Sequence, residues 1–151
     1  MLTTDASIDP VALAARLRPL VFRLGRILRQ QDDSGLPPAS LTALAVLDRA
    51  GPLTLGDLAA EEQVSPPTIT KLVGTLEARG LVERVRDEHD RRVCRVRVTA
   101  RGRRQLEASR TRRTAWLATQ LHGVAPAERA ALADALPVLE RLTAVPGRDA
   151  P

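Results

Sequence analysis

Residues 64–99 read VSPPTITKLVGTLEARGLVERVRDEHDRRVCRVRVT, and the fold turns on what this stretch forms. Ser65 stands where a helix N-cap belongs, and Pro66 follows at the first helical position, where a backbone N–H has no intrahelical partner anyway. Pro67 lies in the same free turn, so the pair forfeits little hydrogen bonding while stiffening the unfolded chain. Beyond them Ile69, Leu72, Val73 and Leu76 recur at i, i+3, i+4 and i+7, which predicts a helix with one face in a core. At about 100° per residue the opposite face carries Pro67, Thr70, Lys71 and Gly74, with Thr68 and Thr75 at its flank. Small and hydroxylated side chains with one cation differ from the Glu and Lys of an ordinary solvated helix. Such a face suits close approach to a partner. Gly80 ends the helix, and LVERVR and VCRVRVT, two β-branched runs around DEHDR, predict a hairpin with a charged tip.

Working outward, Thr54 with Asp57 three residues on opens a helix that ends near Gln63 and turns Leu55, Leu58 and Ala59 inward. Before it, Ser40 is placed to cap a short helix running to Arg49 and closed by Gly51 and Pro52. A longer helix spans about 9 to 31, striped by Leu13, Leu17, Leu20, Leu24 and Ile27. Pro19 inside it predicts a kink or a later start, and DDSGLPP breaks the chain after it. Downstream, Thr99 caps a long helix to roughly Leu121. A last helix covers about 126 to 143, bent or split at Pro137, and VPGRDAP reads as a frayed tail.

A helix, a short turn through Val64, a second helix and a basic hairpin make a winged helix-turn-helix. A plain helical bundle would need no such hairpin. The fold expected is therefore mostly α with a small β-hairpin wing: a winged helix-turn-helix lobe over 40–102, and a dimerisation arm from helices within 9–31 and 103–145, all in a single domain of 1–151.

Composition sets the class. A chain of 151 residues can bury one substantial core. With aromatics at 1%, Phe22 and Trp116 only, aliphatic side chains must build it. Net charge is +5, carried by 22 arginines and Lys71. Residues 79–104 alone hold ten arginines against four acids, a local net of +6, so the charge is concentrated on and around the hairpin and favours a polyanionic partner. One cysteine, Cys94, permits neither an intramolecular disulfide nor a multi-thiolate metal site. The opening MLTTDASIDP has no basic flank or apolar run of a leader, and no apolar stretch reaches about 18 residues, so we expect a cytoplasmic, nucleoid-associated protein without membrane contact.

Over residues 53–102, LTLGDLAAEEQVSPPTITKLVGTLEARGLVERVRDEHDRRVCRVRVTARG, the chain resembles the DNA-binding lobe of the MarR family of bacterial regulators. The resemblance includes the Asp-x-Arg of the wing (Asp90, Arg92) and the Thr-x-x-Gly (Thr99, Gly102) that begins the next helix. It departs at Pro67, a second proline that narrows the base-edge contacts open to the helix start. The resemblance implies a homodimer on double-stranded DNA with a pseudo-palindromic operator, a dimer interface that includes Leu117, Leu121, Leu132, Leu136 and Leu139, and a repressor modulated by a small-molecule effector. It further implies an effector crevice between arm and lobe, for which Phe22 and Trp116 are the candidate lining and Arg18 the candidate anion anchor; from the residues themselves, both aromatics read first as packing residues.

The residues fit that chemistry. A helix entering the major groove needs a thin face with hydroxyl or amide donors and a positive N-terminal dipole, and Ser65, Pro67, Thr68, Thr70 and Lys71 supply one. Lys71 suits either a guanine or a phosphate. Arg92 is the candidate for a narrow minor groove, with Asp90 expected to hold its guanidinium. Arg86, Arg91, Arg95 and Arg97 read as phosphate contacts or strand-surface charges. Cys94 reads as a simple strand residue, and His89 and His122 are too isolated for a metal site. No cofactor is expected. No phosphate loop, nucleophile elbow or paired-carboxylate spacing suggests an enzyme. Two other readings stay open: a protein-interaction module on the same scaffold, and a non-specific DNA compactor.

Overall fold

The computed structural model describes residues 8–144; the first seven residues and the VPGRDAP tail lie outside them. The chain divides into two compact units between Arg113 and Thr114. In order it forms α1 (Pro10–Gln30), α2 (Pro38–Ala50), α3 (Leu55–Glu62), α4 (Pro66–Ala78), β1 (Val82–Arg86), β2 (Cys94–Val98), α5 (Ala100–His122), which runs across the division, and α6 (Pro126–Thr143).

Most of the predicted ends sit where local chemistry puts them. Asp9 caps α1, its carboxylate accepting from the amides of Val11 at 3.2 Å and Ala12 at 3.1 Å. Thr54 caps α3 by accepting from the Asp57 amide at 3.1 Å, and Ser65 caps α4 with Pro66 and Pro67 in its first turn. Three expectations are corrected. Ser40 is not a cap: α2 begins two residues earlier, after Pro37, because Pro38 is itself favoured at a first helical position, and Ser40 is buried in the first turn. Pro19 does not delay α1, which starts at Pro10 and carries Pro19 inside it. Pro137 does not split α6, whose flanking Ala and Leu residues sustain one helix past the missing N–H.

The first unit is built around one aliphatic core. Ala43, Leu44 and Leu47 of α2, Leu58 and Ala59 of α3, and Ile69, Val73 and Leu76 of α4 meet Leu81, Val82, Val96 and Val98 from the hairpin, all buried. The strands pair antiparallel with Val82 opposite Val98 and Arg86 opposite Cys94. Leu53 adds a further antiparallel bridge to Val96, through bonds of 3.0 and 2.7 Å between their amides and carbonyls. The wing is thereby tied to the start of the helix-turn-helix.

The start of α5 is locked to the turn that ends α4. The Thr99 hydroxyl donates to the Gly80 carbonyl at 2.7 Å and accepts from the Gly102 amide at 3.0 Å, while the Thr99 amide reaches the Leu81 carbonyl at 3.0 Å. Gly102 is buried here, and a Cβ on it would lie 2.1 Å from the Leu81 oxygen and 2.7 Å from a Val98 methyl. That close approach explains the Thr-x-x-Gly pair physically. Asp48 of α2 adds ion pairs to Arg103 at 3.4 Å and Arg110 at 3.6 Å.

Nothing on α1 or α6 is buried. All twelve exposed large apolar side chains among the described residues fall between Ile8 and Leu24 or between Leu132 and Leu142. Each helix therefore leaves an apolar face without a partner inside its own unit.

Candidate nucleic-acid interface

The outer face of α4 is open along its length. Ser65, Pro67, Thr68, Thr70, Lys71, Gly74 and Thr75 are all exposed, while Ile69, Val73 and Leu76 anchor the opposite side. The Ser65 and Thr68 hydroxyls bond one another at 2.8 Å, and the Thr70 hydroxyl donates to the Pro66 carbonyl at 2.8 Å, which leaves its methyl and an acceptor lone pair for a partner.

The double proline has a consequence beyond stiffness. Pro66 and Pro67 have no N–H, and the next amide, Thr68, is taken by Ser65 at 3.4 Å. The helix N-terminus keeps its dipole but offers no free backbone donor, so an anion there must be met by side chains. Ser65, Thr68 and Lys71 are the ones in place. Gly74 has nothing within 4 Å of the position its Cβ would occupy, so the fold does not require a glycine there.

In the wing most of the arginines are engaged. Arg84 pairs with Glu77 at 3.2 Å and Arg97 with Glu83, directly across the ladder, at 2.8 Å. Arg95 pairs with Asp87. Arg86 donates to the Arg91 carbonyl at 3.1 Å and so braces the tip. Arg91 and Arg92 are exposed and make no ion pair with a described residue. Within the wing, the charge left free to meet a partner is thus gathered at the tip.

The tip is organised by Asp87, which the sequence reading left aside. Its carboxylate takes the Arg95 guanidinium and the amides of His89 at 2.9 Å and Asp90 at 3.0 Å. The Arg95 hydrogen bond first, then the two amides, lower its pKa from 3.8 to about 2. Asp90 plays a different part from the one expected: its carboxylate accepts from the Arg92 backbone amide at 3.0 Å and shapes the turn, leaving the Arg92 guanidinium unheld. A short Asx side chain reaches an amide two residues on more readily than a long, mobile guanidinium.

Because the folded pKa of Asp87 is depressed, its bonds are at full strength above the unfolded value near 3.8 and are lost as pH falls toward 2. In an NMR titration the His89 and Asp90 amide shifts are expected to hold to pH 4 and to move only below about 3. Asp87→Asn is expected to displace both at every pH. Tip amides that titrate with midpoints near 4 would contradict this assignment.

The remaining candidates lie elsewhere. On α1, Phe22 is 70% exposed and Arg18 sits one turn before it, also exposed. Trp116 on α5 is half-buried. Cys94 is free and exposed at the start of β2. No group of His, Cys, Asp and Glu able to hold a metal occurs among the described residues, and no described helix is long and apolar enough to cross a membrane.

Comparison with known proteins places this geometry. A family model described as MarR family matches residues 34–93. An uncharacterized HTH-type transcriptional regulator of Mycobacterium bovis is 35% identical over 130 residues, covering 85% of this chain and 87% of its own. Among solved structures, a putative transcriptional regulator from Pseudomonas aeruginosa superposes with a TM-score of 0.80 at 34% identity, covering 92% of this chain and 99% of its own. A MarR family protein from Bacillus stearothermophilus gives 0.74 at 31% identity, with 87% and 92% covered.

Proposed function

The chain belongs to the MarR family of DNA-binding transcriptional regulators, and on that premise we propose that it works as a homodimeric repressor, each copy laying α4 in a major groove and its wing tip in the adjoining minor groove. The observation that carries this reading is the division of the arginines. Those along the strands are committed to Glu77, Glu83 and Asp87, whereas Arg91 and Arg92 project unpaired from the tip. A narrow minor groove concentrates negative potential and favours an inserted arginine. Ser65, Pro67, Thr68, Thr70 and Lys71 supply the major-groove face, and Arg86, which braces the tip through one N–H, keeps its other donors for phosphate.

Dimerisation is supported by the bare apolar faces. Runs of exposed apolar side chains along one helix mark interaction surfaces, and a second copy would cover Leu13, Leu20 and Leu24 of α1 and Leu132, Leu136 and Leu139 of α6. Two copies related by a two-fold axis would read half-sites about one helical turn apart. The repressor assignment is supported by a relative named as the HTH-type transcriptional repressor MdtR of Bacillus subtilis, 28% identical over 120 residues. The effector part of the proposal rests on the family alone, with Arg18, Phe22 and Trp116 as its candidate residues.

Electrophoretic mobility shift with genomic fragments tests the function. Binding is expected to weaken steeply with salt, the log–log slope growing by about 0.9 for each phosphate neutralised. Competition by unrelated DNA is expected to be weak. Equal competition would support a non-specific compactor, and no binding at low salt would favour a protein-interaction module.

A further inference from the structure

The loop between α1 and α2 is held from two sides by charged groups distant in sequence. From α5, the Arg112 guanidinium reaches Asp32 at 3.1 Å and Asp33 at 2.9 Å. The Asp32 side chain is only 4% exposed; burial would raise its pKa, but hydrogen bonds from Ser34 and Arg112 outweigh it and keep the carboxyl below its ordinary value, so the pair is ionic. The Ser34 hydroxyl donates to Asp32 and accepts from the Leu36 amide at 3.1 Å, and Leu36 is buried in the core. From the C-terminal end of α4, Arg79 spreads its guanidinium over two successive carbonyls of the same loop, Ser34 at 3.0 Å and Gly35 at 3.2 Å. Gly35 turns the chain there with φ at 66°.

We propose that Arg79, Asp32 and Arg112 are positioning residues for DNA recognition: they strap the C-terminal end of α4 to the α1–α2 loop, and that loop to α5. The proposal rests on α4 being the DNA-reading helix. Core packing through Ile69, Val73 and Leu76 fixes which face of α4 is buried, but apolar contact is non-directional and leaves some freedom to pivot. A planar fork on two carbonyls is directional and removes it. The Arg79 bonds add little to stability, since Arg79 is exposed, whereas loss of the buried Asp32 carboxylate would leave Arg112 short of a partner and cost stability as well. The effect of the Arg79 bonds falls on geometry. Recognition helices tolerate small angular errors poorly at base edges and well at phosphates, so the strap should matter for operator binding and hardly at all for unselected DNA.

The test uses the full chain, the DNA fragment it retains most tightly from a random pool, and an unselected duplex. Arg79→Gln is expected to stay folded by circular dichroism and to lose about tenfold in operator affinity, equal to about 1.4 kcal/mol. Unselected duplex should change less than about twofold, and the salt slope should be unchanged because no phosphate contact is removed. Arg79→Lys, which can make one of the two bonds, should fall between. Asp32→Asn should weaken operator binding in the same selective way, and the double variant should be no weaker than the poorer single, because both act through one loop. Should Asp32→Asn fail to fold, Arg79→Gln and Arg79→Lys carry the test. Wild-type operator affinity in Arg79→Gln would overturn the proposal. So would an equal loss on both DNAs with the slope reduced by about 0.9, which would make Arg79 a direct phosphate contact. If the wild-type protein binds no DNA, the α4 reading itself fails, a result distinct from either.

Discussion

Gly102→Ala is expected to destabilise the protein by about 3 kcal/mol, more than any single exposed ion pair contributes. Alanine in a helix normally gains about 1 kcal/mol over glycine, so a large loss here must come from contact. The added methyl would stand 2.1 Å from the Leu81 carbonyl oxygen, and backbone cannot swing aside as a flexible side chain can. Relief requires the first turn of α5 to lift, which also breaks the bonds from Thr99 to Gly80 and Leu81. The midpoint of chemical denaturation reports the loss. A variant as stable as the parent would show that α5 does not sit where it is described. Gly74→Ala is the matched control, because its methyl meets nothing within 4 Å. It should stabilise by about 0.5–1 kcal/mol and yet weaken operator binding, because the outer face of α4 is the surface that must approach the bases.

Arg92→Ala carries the second large effect: a loss of about 2 kcal/mol in operator affinity, roughly thirtyfold, with the salt slope falling by about one. Arg84→Ala and Arg97→Ala, whose charges are already spent on Glu77 and Glu83, should each cost less than about threefold. The contrast is the informative part. If all three substitutions weaken binding alike, the wing acts as a diffuse positive field, and the ion pairs do not sort its arginines. Titration of a fluorescent operator duplex by each variant at several salt concentrations separates the two outcomes.

Helix ends were legible because capping is local: Thr54, Ser65 and Thr99 each satisfy an amide three residues on, a reach that sequence alone can read. Ser40 misled for the same reason, since Pro38, two residues earlier, also begins a helix well. The exposed face of α4 followed from helical period. What sequence could not sort was pairing across elements. Arg97 and Glu83 meet only through the strand register, Arg84 and Glu77 through the turn after α4, and Arg79 finds its carbonyls 44 and 45 residues away. Asp87 looked like one more tip charge until two amides and a guanidinium were seen to converge on it. Leu53 becomes a strand partner only once Val96, 43 residues on, lies beside it.

Sequencing the DNA fragments that the purified protein retains from a random pool tests most directly whether paired copies read duplex DNA through α4 and the wing. We expect a pseudo-palindrome with half-site centres about ten base pairs apart, flanked by an A·T-rich segment where each wing tip lies. A retained pool with no shared sequence, or one enriched for a single unrepeated half-site, would contradict it.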